Sequence, residues 1–138
     1  MTNAQIATEL AKRAEEQAWK AAGKGLEAAG IFLTARVRET LNVPAPKHGS
    51  KYLPAVYGAP PRKRTGHLLK SVAGKLVDKQ TYVIVANARA KKGFQYGKYH
   101  ELNTGGKSGR HPFIRPTFVK WRAEVMRIIG SEFSTEFR

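Results

Sequence analysis

The chain has 138 residues, 41% of them hydrophobic, and carries 25 Lys+Arg against 10 Asp+Glu, for a formal charge of +15 with no cysteine. That length suits one domain with a modest core, and the lack of cysteine excludes a disulfide framework and thiolate metal sites. No apolar run approaches the roughly 18 residues of a membrane span, and "MTNAQIATELAKRAEEQ" lacks the basic-then-apolar pattern of a signal peptide, so a soluble, unprocessed protein made in the cytoplasm is expected, with no membrane partner.

The charge is unevenly placed. Residues 1–42 hold six cations and five acids, residues 116–138 hold four and three, and residues 43–115 hold fifteen and two. A charge run is ordinarily a solvated face, but a segment of +13 between two near-neutral ends makes a polyanion the first partner to consider.

Taken in chain order, residues 1–42 predict a long N-terminal helix, because Ala is frequent and no proline occurs before Pro44. Ile6, Leu10 and Ala14, then Leu26, Ala29, Leu33, Val37 and Leu41, form an apolar stripe at helical spacing. Gly23 and Gly25 each cost roughly 1 kcal/mol in a helix interior, which predicts a bend or break there. Unbroken, the helix would be too long for one small domain to cover, so part of it is expected to pack on another chain.

Residues 43–65 predict an extended basic loop, since five of the seven prolines fall between Pro44 and Pro61. Within "GAPPRKRTG" the two prolines enforce an extended approach, and Thr65 is placed to cap a short turn carrying Leu68, Leu69 and Val72. "AGKLV" and "TYVIVANA" flank Asp78–Gln80 and predict an antiparallel hairpin, with Tyr82, Ile84 and Ala86 on one face. Residues 88–97 read as a second cationic loop, "KYHEL" as a short strand and "NTGGKSG" as a turn. Pro116 suits a first helical turn, and Phe118, Trp121, Val125, Ile128 and Ile129 supply one face of a C-terminal helix over 116–138. The expected fold is α+β: one domain over 1–138, with the two helices packed on a small antiparallel sheet made within residues 66–115.

Enzymatic chemistry finds little to stand on. His48, His67, His100 and His111 could suggest ribonuclease-like acid-base work with Glu101, but the spacings form no recognised site, and His100 and Glu101 are neighbours that point to opposite faces of a strand. HxxxH and HExxH patterns are absent. Thr104–Lys107 superficially suggests a phosphate loop, yet the required glycine and lysine spacing is missing. Tyr52, Tyr57, Phe94, Tyr96 and Tyr99 lie among the cations and permit base stacking, although packing is the commoner role of such tyrosines. With no sequence-reading motif, what remains is backbone-level attraction to a phosphate polymer.

Two blocks carry a resemblance. "GAPPRKRTGHLLKSV" at 58–72, with Pro60, Pro61, Thr65, Gly66, Leu68 and Ser71, resembles a stretch in the tail-component family of long-tailed bacteriophages, the neck proteins of the tail completion, tail terminator or minor tail protein Z type. "YGKYHELNTGGKSGRHPFIRPTF" at 96–118, with Glu101, Thr104, Pro112, Phe113, Arg115 and Pro116, resembles that family's second block. Asn103 stands where the family tends to have glycine, and asparagine tolerates positive φ better than most residues.

The resemblance covers about residues 25–130 and implies a non-catalytic virion protein, assembled in the host cytoplasm, that forms a hexameric ring at the head–tail junction or the top of the tail. Its implied partners are copies of itself, neighbouring neck and tail-tube proteins, and double-stranded DNA held without sequence preference; no cofactor or metal is implied. Lys47, Lys51, Arg62, Lys63, Arg64, Arg89, Lys91, Lys92 and Lys98 are the cations expected to face that DNA. The alternative is a free, non-sequence-specific nucleic-acid-binding protein acting as a monomer or dimer.

Overall fold

The computed structural model describes residues 1–52, 59–61, 63, 66–88 and 112–136. Helix α1 (Asn3–Leu41) leads to a two-residue ladder of β1 (Lys47–His48) and β2 (Lys51–Tyr52). A short helix α2 (His67–Ser71), a hairpin of β3 (Val72–Asp78) and β4 (Thr81–Ala86), and helix α3 (Ile114–Glu136) follow. The α+β architecture is therefore as the periodicities predict, with both long helices and a small antiparallel sheet.

α1 starts with a reciprocal cap. The Gln5 amide donates to Thr2 Oγ1 at 3.2 Å while the Thr2 amide donates to Gln5 Oε1 at 2.7 Å, satisfying two backbone donors that a helix start otherwise leaves open. The helix then runs without a break through Gly23 and Gly25. Close approach explains the glycine at 25: a Cβ there would lie 2.8 Å from the Ile129 carbonyl oxygen of α3, and one at Gly30 would strike the Tyr82 ring. These glycines let a neighbouring helix and strand reach the α1 backbone.

The hairpin turns at Lys79–Gln80, as predicted. Its register pairs Val72 with Ala86 and Leu76 with Tyr82, and an irregularity between Leu76 and Asp78 brings Asp78 opposite Thr81. The Asp78 carboxylate accepts the Gln80 amide at 2.7 Å, an aspartate turn that competes well with solvation at such positions.

Two apolar clusters hold the elements together. Val37, Leu41, Val72 and Phe113 are buried, with Leu68, Leu69, Ile84, Ala86 and Ile114 packed around them. Ala29, Leu33 and Val125 form the second, with Phe32, Ile84, Trp121, Ile128 and Ile129. Ile84 belongs to both and ties the sheet to the helix pair. The expected anchors Leu68, Leu69, Val72, Phe113 and Ile114 thus reach the core, and burial of a side chain such as Phe113 is worth roughly 1.5–3 kcal/mol.

Several boundaries and faces differ from expectation. α3 begins at Ile114, two residues before the expected start, so Pro116 is its third residue and still within the first turn, where a missing amide is harmless. Phe118 is 41% exposed and leaves the buried face to Thr117, Trp121, Val125, Ile128 and Ile129. The α2 N-cap is Gly66 at φ 80°, a left-handed position, and not Thr65. The loop expected to be extended after α1 contains the short β1–β2 ladder, and a parallel bridge joins Pro44 to Lys63. The expected "KYHEL" strand and "NTGGKSG" turn lie outside the described residues.

Candidate nucleic-acid interface

The basic middle starts where α1 ends. Lys63 donates its amide to the Val43 carbonyl at 2.7 Å and accepts the Ala45 amide at 2.8 Å, so its own backbone is held against the segment leaving α1. Its ammonium donates to Asn42 Oδ1 at 3.0 Å. Asn42 is the helix C-cap, and a cation is favoured at that negative end of the helix dipole. Lys63, expected among the DNA-facing cations, ties the loop to α1 through this exposed hydrogen bond.

Lys47 and Lys51 are exposed on the small ladder. The register sets His48 opposite Lys51 and puts Lys47 on the neighbouring rung, so the two lysines fall on opposite faces of the ladder. They offer charge on both sides and no single-sided stripe. Arg62, Arg64, Arg89, Lys91, Lys92 and Lys98 lie outside the described residues, as do Thr65, Glu101, Thr104, His100 and His111.

The remaining motif residues have structural duties where they are described. Pro61 is buried and Pro60 half-buried. The Ser71 hydroxyl donates to the Leu68 carbonyl at 2.7 Å and closes the end of α2. Phe113 is fully buried, Pro112 half-buried, and Arg115 and Pro116 face outward at the start of α3.

Two arginines of α1 escaped the sequence reading because nothing local marks their partners. Arg38 donates through Nε and Nη2 to the Val72 carbonyl at 3.2 and 2.7 Å, sewing α1 to the junction of α2 and β3. Arg36 pairs with Glu39 at 2.9 Å and lies over the rings of Phe32 and Trp121, 5.2 and 5.5 Å from their centroids. Those rings meet edge to face at 5.6 Å, a preferred aromatic geometry. The Arg36 Nε is buried without a hydrogen-bond partner. Both arginines act as packing cations.

Among the described residues no cluster of three His, Cys, Asp or Glu could hold a metal ion, and no helix is long and apolar enough to cross a membrane. A shallow groove between α1 and the β3–β4 turn is lined by Lys12, Glu15, Glu16, Trp19, Lys79 and Gln80. Its two cations and two carboxylates offset each other, unlike an anion site. His48 is exposed on β1 and His67 is exposed at the start of α2.

No protein-family model matches the chain, no curated protein matches it, and no solved structure matches it. The likeness to phage neck proteins therefore rests on the two sequence blocks alone.

Proposed function

We propose that the protein is a structural, non-catalytic ring component of the phage neck, of the tail completion or terminator kind, whose basic middle faces double-stranded DNA in a central channel. The observation that carries this reading is the separation of surfaces: +13 between residues 43 and 115, against near-neutral helices at either end whose apolar faces exceed what one domain covers. The two motif blocks support the family, and their described anchors, Pro61, Leu68, Ser71 and Phe113, are placed as scaffold residues. A channel protein must attract DNA and still let it slide. Lysines and arginines carried on loops neutralise phosphates without reading bases, and Lys47 and Lys51 on opposite faces of a small ladder fit that task better than a groove-reading helix would.

The test is DNA binding by the purified protein as a function of salt. Binding is expected to be indifferent to sequence and to weaken steeply as salt rises, because each neutralised phosphate releases counterions. Replacing Arg62 and Arg64 by Gln is expected to lower the affinity and flatten the salt slope, with Lys63 left in place because it ties the loop to α1. A salt-independent or sequence-selective affinity would remove the channel reading, as would an assembled particle in which residues 47–64 lie on the outer surface.

A further inference from the structure

The two long helices pair antiparallel. Thr40 and Thr117 share a hydrogen bond of 3.1 Å between their hydroxyls, Phe32 meets Trp121, Ala29 and Val125 share a cluster, and Gly25 receives Ile129. Moving toward the N-terminus of α1 therefore means moving toward the C-terminus of α3, which ends at Glu136. Every residue from 3 to 17 is exposed. The stripe that α3 covers at Gly25 and Ala29 nevertheless continues into this overhang through Leu10 and Ile6, which are 59% and 42% exposed. The overhang extends about 22 Å.

α3 has a second apolar face. Val119 and Met126 are 65% and 60% exposed, and Ala123 and Gly130 are exposed on the same line. These positions recur at +4, +7 and +11 on the side opposite Thr117, Trp121 and Val125. A Cβ at Gly130 would meet nothing within 4 Å, so among the described residues of one chain nothing calls for a residue that costs a helix interior about 1 kcal/mol relative to alanine. Close approach by another helix does. This line is about 18 Å long from 119 to 130, close to the length of the overhang.

We infer that residues 3–17 of one copy dock along the Val119–Gly130 face of α3 in the next copy. Ile6 and Leu10 would supply the large side chains, and Ala123 and Gly130 the gaps that receive them. Charge agrees with the match: residues 3–17 carry three acids and two cations, residues 117–130 three cations and one acid. Arg13 continues the Ile6–Leu10 line and pairs with Glu9 at 3.2 Å, so the match lies in the net charge of the two segments, with Lys120, Arg122 and Arg127 bordering the α3 line. Because the two docking surfaces differ, the contact is heterologous and propagates around a ring when the rotation closes. The inference rests on the ring reading above for that closure, and on the helix faces for the contact itself.

The test uses Leu10→Cys and Met126→Cys in a chain with no native thiol. Within one chain the two sites cannot meet: Leu10 lies nineteen residues before Ala29, the level at which Val125 packs, or about 28 Å along the helix, whereas a disulfide needs Cα atoms within about 7 Å. Mild oxidation of the double variant is expected to give a ladder of covalent oligomers, and neither single variant is expected to cross-link. Disulfides formed by a single variant, or none formed by a folded double variant, would overturn the proposed contact. Met126→Glu should abolish self-association while leaving helix content unchanged; persistence of oligomers would also overturn it. DNA binding measured on the same proteins reports separately, so cross-linking without DNA attraction removes the channel and leaves the contact standing.

Discussion

The two halves of α1 have the same local character and opposite fates. From Ala21 to Leu41 the helix buries Ala21, Gly25, Ala29, Leu33, Val37 and Leu41, whereas from Asn3 to Gln17 every residue is exposed. Both halves repeat apolar residues at helical spacing, so the periodicity specifies a helix and a stripe without specifying what covers it. Only the landing of α3 and the hairpin separates a core residue such as Leu33 from an exposed one such as Leu10.

The largest expected effect lies in the covered half's partner. Phe113→Ala removes a ring from the cluster of Val37, Leu41 and Val72 and should cost about 3–5 kcal/mol in urea unfolding; a loss below about 1 kcal/mol would mean that this cluster does not hold the end of α1. The paired glycines sharpen the comparison next. Gly25→Ala meets the Ile129 backbone and should destabilise by about 1–3 kcal/mol as overpacking. Gly23→Ala, two residues earlier, meets only the Lys79 carbonyl at 3.9 Å and should stabilise by up to about 1 kcal/mol through helix propensity. Equal signs for the two would break the account of why α1 carries glycine at position 25.

In the bare half, Leu10→Ala should shift the stability of the monomer by no more than about 0.5 kcal/mol at dilutions where copies do not associate. Circular dichroism during thermal unfolding reads this directly. The smallest effect belongs to the exposed Glu124–Arg127 pair on α3, joined at 2.6 Å. The hydrogen bond from Arg127 holds the Glu124 carboxyl below its ordinary value. A lowered folded-state pKa contributes stability above the unfolded-state value, and that contribution is lost as pH falls through the folded-state value. A carboxyl NMR titration should show the lowered midpoint, and Arg127→Gln should restore it toward the ordinary range with little change in melting temperature.

Much of the fold was legible because it depends on near neighbours in sequence. Helical spacing marked α1 and α3, and alternation with an Asp-containing turn marked β3–β4. Proline density marked the segment after α1 as irregular, though not the small ladder inside it, since two-residue pairing leaves almost no periodic signal. The candidate interface was legible as composition only: the excess of cations between 43 and 115 is in the sequence, but which cations face outward is not. Lys63 shows why, because its partners Asn42, Val43 and Ala45 lie about twenty residues earlier in the chain.

By itself the sequence determined the two long helices and the hairpin, the division between a basic middle and near-neutral ends, and the short-range anchors around Pro60 and Pro116. Tertiary structure alone decided that Gly25 is a contact and not a break, that Arg36 and Arg38 are packing cations, and that Phe118 points away from the core. Local preferences act over one or two turns of chain, whereas burial depends on which distant surface arrives and at what distance. α1 received such a surface over residues 21–41, whereas residues 3–17 stay exposed.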